Sequence, residues 1–158
     1  VRAPGPPSTS LTSVATNIYA KLRAGVTTAS AAESQSLAAD FAAALPPDTT
    51  LALHGNLGVG KTTFVQGLAR AFGITEPVTS PTFTIFTVHR GTRNLVHLDA
   101  YRLDRAAQLD SLMLEDFLTT PYCLAVEWPD NVAAWLPPTT LHLDLGIAAD
   151  ERHTLRLR

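Results

Sequence analysis

The chain has 158 residues, 46% of them apolar and 16% charged, with a formal net charge of −2. Such a length and apolar content suit one domain with a proper core, and the weak net charge gives no reason to expect a large cationic surface for direct nucleic-acid binding. A single cysteine, Cys123, excludes an internal disulfide, and no apolar run nears the ~18 residues that span a bilayer.

Residues 1–13 are rich in Pro, Ser and Thr and read as a flexible leader, extended here to residues 1–17; residues 18–158 are expected to form a single domain. Arg2 is followed by no apolar stretch of the kind a secretory signal needs, so a cytoplasmic protein without membrane association is expected. A strand is expected around Tyr19 to Val26. Ser30 and Glu33 have capping-box spacing, and Leu37, Ala38, Phe41, Ala42 and Leu45 then recur at helical period until Pro46-Pro47 stops the helix. Leu51 to His54 is a short buried strand. Lys61 to Phe72 is helical, with Phe64, Leu68 and Phe72 on one face and Gly73 as its stop. Thr82 to His89 and Asn94 to Leu98 form a hairpin about the turn Arg90-Gly91-Thr92-Arg93. Asp104 to about Leu118 reads as a helix, Tyr122 to Val126 as a strand, and Pro129 to Trp135 as a short helix. Thr139 to Leu145 and His153 to Leu157 close the chain as an antiparallel pair. The mixture predicts an α/β domain with a mixed parallel and antiparallel central sheet flanked by helices.

One stretch carries the chemistry. Gly55-Asn56-Leu57-Gly58-Val59-Gly60-Lys61-Thr62 fits G-x-x-x-x-G-K-[ST], with an apolar strand before it and a helix after it. Glycines let successive N–H groups curl inward into an anion nest, and the helix N-terminus adds its positive dipole end. Lys61 is one of only two lysines against ten arginines. Its slim ammonium suits the β- and γ-phosphates where a flat guanidinium does not. The hydroxyl of Thr62 suits Mg²⁺, and Thr63 reaches toward the α-phosphate.

Such a loop needs carboxylates for the metal and for the attacking water. Glu127 closes Cys123-Leu124-Ala125-Val126, and Asp99 closes Leu95-Val96-His97-Leu98. Ligands gather at the carboxyl ends of parallel strands. Local chemistry does not assign the metal to one acid and the water to the other. Ser80-Pro81-Thr82-Phe83 is placed to be a switch-like loop closing over the phosphates. His54 and His97 read as packed strand residues, and Trp128 and Trp135 as packing. Arg90, Arg93, Arg102 and Arg105 fall within sixteen residues. They form either a solvated rim or a docking patch for an acidic partner or RNA.

With these residues in place the chain resembles the TsaE family, the small bacterial P-loop ATPases of tRNA threonylcarbamoyladenosine synthesis, from about Ser30 to Leu145. The likeness rests on an ordered set: the P-loop through Phe64, then Ser80-Pro81-Thr82-Phe83, His97-Leu98-Asp99-Ala100-Tyr101-Arg102-Leu103 and Glu127-Trp128-Pro129. It implies a P-loop NTPase-like sandwich and slow hydrolysis of ATP with Mg²⁺, stimulated within a complex. The implied partners are the threonylcarbamoyl transferase subunit and its dimerising paralogue. The implied target is adenosine 37 of tRNAs reading codons that begin with A, with tRNA held indirectly through the complex. By position, residues 56 to 63 would bind the nucleotide, and Thr62 and Glu127 the metal. Asp99 and Glu127 would be the catalytic acids, and Ser80 with Thr82 the switch-like loop. Three departures stand out: Asn56 where an acid is usual, Val59 for alanine, and Met113-Leu114 where a glycine is usual. The alternative is a small-molecule or nucleotide kinase, which usually brings an arginine-bearing lid. A GTPase lacks support because no N-K-x-D element is present.

Overall fold

The computed structural model describes residue 3 and residues 11–158, so most of the leader lies outside the described residues. Residues 11–17 belong to the first helix, α1 (Leu11–Ala24). The strand expected around Tyr19 to Val26 is therefore mostly helix. Ile18 and Leu22, one turn apart, are both buried, and Tyr19 packs edge-on against Phe41 at 5.5 Å between ring centroids. That i, i+4 stripe is a helical pattern. Only Val26–Thr28 (β1) is extended.

Next come α2 (Ala31–Ala44), β2 (Thr49–His54), α3 (Lys61–Ala71), β3 (Phe86–His89) and β4 (Asn94–Asp99). The chain ends with β5 (Tyr122–Glu127), β6 (Leu141–Ile147) and β7 (His153–Leu157). The predicted capping box is present: Ser30 Oγ accepts from the Glu33 N–H at 3.1 Å, and Glu33 Oε2 accepts from the Ala29 N–H at 2.7 Å. The seven strands form one sheet in the order β1-β7-β6-β2-β5-β4-β3. β6, β2, β5 and β4 run parallel, while β3 and β7 are antiparallel to their neighbours. The mixed sheet is the one the sequence predicts.

Alternation along the strands sorts two cores. Leu51, Leu53, Leu95, Cys123, Ala125 and Leu143 pack beneath α1, α2 and α3. Val96, Leu98, Leu124 and Val126 face the other way, toward Leu109, Leu114 and Val132. Gly67 lets α3 lie close on α2: a Cβ there would meet the Gln35 carbonyl and come within 2.6 Å of the Ala38 Cβ. Burial pushes the Cys123 thiol up to about 12, so it is an inert core residue.

Two expected elements differ. The strand placed at Thr82 to His89 begins only at Phe86. Before it, the Ile85 N–H turns back to the Pro81 carbonyl at 2.8 Å, and Ile85 sits at φ 70. The helix placed at Asp104 to Leu118 is two 3₁₀ helices, Ala106–Leu112 and Leu114–Phe117. Met113 separates them at φ 52, a left-handed conformation that an α-helix cannot contain. No helix among the described residues is long and apolar enough to cross a membrane.

Candidate functional site

β2 delivers the chain to the carboxyl edge of the parallel strands, where the loop at residues 55–60 turns back into α3. Gly60 is the N-cap at φ 99, a conformation glycine adopts freely. The first turn of α3 therefore opens onto a cleft of about 410 Å³. Its wall includes every expected site residue except Asn56 and Val59. Asn56 is exposed, and the Val59 side chain is buried.

Asp99 and Glu127 are register partners on adjacent parallel strands. Parity places both on the face that carries α3, as it does His97. Thr62 Oγ1 donates to Glu127 Oε1 at 3.0 Å. Ser80 Oγ lies within hydrogen-bonding reach of Asp99 Oδ2 at 3.1 Å and of Glu127 Oε2 at 3.2 Å. Thr82 Oγ1 donates to Asp99 Oδ2 at 3.3 Å, and the Tyr101 N–H donates to Asp99 Oδ1 at 2.9 Å. The cleft floor is thus a cluster of hard oxygen donors drawn from four segments of the chain. Among the described residues no three His, Cys, Asp or Glu side chains are arranged to hold a metal unaided. One hydroxyl and two carboxylates beside a phosphate-shaped nest nonetheless fit Mg²⁺, which takes few protein ligands and completes its shell with phosphate oxygens and water.

Electrostatics follow from burial. Glu127 is almost fully buried. Burial favours its neutral form, but His97, the Thr62 hydroxyl and Lys61 outweigh that and hold the carboxyl below its ordinary range. Burial pushes the Lys61 ammonium below its ordinary value, against the pull of Glu127 and Asp99. Lys61 Nζ donates to the carbonyls of Gly55 and Asn56 and lies 3.8 Å from the centroid of the Trp128 ring.

Comparison with known proteins gives the family. A family model described as "Threonylcarbamoyl adenosine biosynthesis protein TsaE" matches residues 28–155. The chain belongs to the TsaE family. The "tRNA threonylcarbamoyladenosine biosynthesis protein TsaE" of Treponema pallidum is 37% identical over 106 residues, covering 67% of this chain and 78% of that protein. Its Bacillus subtilis counterpart is 35% identical over 124 residues, covering 78% and 77%. The crystal structure of YdiB from Bacillus subtilis superposes with a TM-score of 0.71 at 32% identity, covering 84% of this chain and 82% of that one. This chain thus shares with that structure a P-loop-like fold built on a mixed sheet flanked by helices.

Some cleft residues were not singled out as site residues from the sequence. Trp128 and Tyr101 line the cleft, and their rings lie 5.0 Å apart. Trp128 read as packing because an aromatic after a buried strand is ordinary. It does pack against the second core, as expected, and its place directly after Glu127, where the strand turns at φ 56, also brings it to the cleft. His97 is fully buried as expected, but its Nε2 lies 3.7 Å from Glu127 Oε1, so it packs behind the acid. The glycine usual in TsaE at 113–114 also gains a meaning, since Met113 occupies a left-handed position.

Proposed function

We propose that this TsaE member is a MgATP-hydrolysing accessory subunit that supports threonylcarbamoyl modification of adenosine 37 in tRNA. The observation carrying this reading is the Thr62–Glu127 hydrogen bond at 3.0 Å, which joins the P-loop helix to the acid of β5 inside one cleft. The pathway comes from the relatives, which are tRNA threonylcarbamoyladenosine biosynthesis proteins by name.

In this reading the amides of residues 56–63 cradle the phosphates, and Lys61 exchanges its carbonyl partners for β- and γ-oxygens. Thr62 and Glu127 hold the cation. When bound, Mg²⁺ neutralises charge on the terminal phosphates. Asp99, fixed by the Tyr101 amide and the Ser80 and Thr82 hydroxyls, accepts a hydrogen bond from the attacking water and orients it. Exposed Ser80 and half-buried Thr82, on the segment that precedes β3, are the part that adjusts as the γ-phosphate leaves. The partners are the threonylcarbamoyl transferase subunit and its dimerising paralogue, met in the cytoplasm by the single domain expected at residues 18–158, which α1 extends back to Leu11. The net charge of −2 leaves tRNA to be held mainly by those partners.

Steady-state phosphate release tests the proposal. The purified chain is expected to hydrolyse ATP barely above background, and the two transferase subunits together are expected to raise the rate clearly. Absence of stimulation, combined with phosphate transfer to a small metabolite, would replace the hydrolase with a kinase.

A further inference from the structure

We infer that His153, far along the sequence from the P-loop, is a positioning residue for that loop; the inference rests on the MgATP reading above. His153 Nδ1 lies 3.0 Å from the carbonyl oxygen of Val59, so the ring nitrogen carries a proton and donates it. The Val59–Gly60 peptide is not among the cis bonds of the chain. In a trans peptide the C=O and the N–H point to opposite sides. Fastening the Val59 carbonyl to the ring turns the Gly60 N–H the other way, and Gly60, unlike Val59, lines the cleft. Among the described residues the Gly60 N–H has no backbone acceptor, so it is available to a phosphate.

The anchor is itself rigid. His153 opens β7 between two partners, with Ile147 of β6 on one side and Thr28 of β1 on the other. Beneath it, the Ala148–Arg152 turn is closed by the Ala148 N–H to Arg152 carbonyl bond at 2.8 Å. On the loop side the Val59 side chain is buried, so the peptide is held at both ends. A Cβ on Gly60 would come 3.4 Å from His153 Nδ1, so the ring also bounds the loop sterically. The start of β7, next to the edge strand farthest from β3, thereby touches the P-loop from outside the cleft, and the acids play no part in the contact.

Asn places its amide nitrogen where His places Nδ1, whereas Leu fills space without a donor. Titration calorimetry of the full chain with the Mg²⁺ complex of a non-hydrolysable ATP analogue should show His153→Leu raising Kd about two- to tenfold, the range of one neutral hydrogen bond. His153→Asn should stay within about twofold of wild type on the same principle, with melting temperatures monitored for both variants. In the wild type, imidazole ¹⁵N shifts at a pH where the ring is neutral should report the Nδ1–H tautomer. This measurement stands even if a variant fails to fold. Equal weakening in both variants, unchanged binding in both, or an Nε2–H tautomer overturns the inference alone. A wild-type chain with no affinity for the analogue overturns the MgATP reading, and the inference with it.

Discussion

Lys61 and Glu127 sit in one cleft, but their chemistry separates them. The ammonium already holds two carbonyls of its own loop and lies against Trp128. In the proposed MgATP reading these partners are exchanged for phosphate, and nothing else among the described cleft-lining residues supplies a mobile positive charge. Lys61→Ala is therefore expected to abolish nucleotide binding in calorimetry. Glu127 touches Thr62 and Ser80, not the nest amides, so Glu127→Ala should bind nucleotide nearly as wild type while losing partner-stimulated turnover. Equal loss of binding in both variants would contradict the assigned roles. The P-loop was legible from the sequence because its demands are local: glycines where the backbone curls, and a lysine and a hydroxyl at fixed offsets. His153 was not legible. No local pattern ties it to Val59, and only the pairing of β7 with β6 brings them together.

At the scale of elements, α2 and α3 had the clearest sequence signatures, and both formed. Their apolar stripes repeat at helical period, and the Ser30 cap and Gly73 stop are local signals. What the stripe cannot reveal is how closely two helices approach. Gly67 sets that distance. Gly67→Ala improves helix propensity by about 1 kcal/mol. It also forces the Gln35 backbone and Ala38 to move, because a Cβ there meets both. Backbone displacement in a packed interface is the larger effect, so the variant should lose about 1–3 kcal/mol in denaturant unfolding. A neutral or stabilised variant would show that α2 shifts freely. The arginine cluster is also resolved at this scale. Arg93 bonds the carbonyls of Leu45 and Pro46 at the end of α2, and β4 separates it from Arg102, whose guanidinium lies 4.8 Å from the Phe83 ring centroid. Six strand residues span roughly 20 Å, so these arginines do not make one patch. The 3₁₀ segments were misread as a helix because Leu109, Leu112 and Met113 stand at i, i+3 and i+4, and Met113 breaks the helix by a dihedral angle that composition does not announce.

Across the whole molecule, the last residue of the chain is tied down by charge. Arg158 donates from Nε and Nη2 to the Asp144 carboxylate at 2.8–3.2 Å. That hydrogen-bonded guanidinium holds the Asp144 carboxyl below its ordinary value. The folded carboxyl thus binds its proton less tightly than the unfolded one. The pair stabilises the fold above the ordinary aspartate value of about 3.9, and the contribution fades as pH falls through the lower folded value. Both side chains are about half exposed, so Asp144→Asn should cost only about 0.2–1 kcal/mol near neutral pH. Thermal melts should show the gap to wild type closing as the solution is acidified. A gap that widened on acidification would contradict the sign.

The sequence by itself determined the P-loop motif, the acids that end two strands, the mixed sheet and the resemblance to TsaE. Each of these is written in neighbouring residues, through spacing, alternation or capping. Tertiary structure alone decided that Thr62 bonds Glu127, that Asp99 and Glu127 stand side by side, that Trp128 faces Lys61 and that His153 braces the loop. Those contacts join residues from 28 to 94 positions apart. Chain connectivity places no such pair together; only the register of the parallel strands and the return of β7 to the sheet do so, because hydrogen-bonded strands fix distant residues side by side once their apolar faces have been buried.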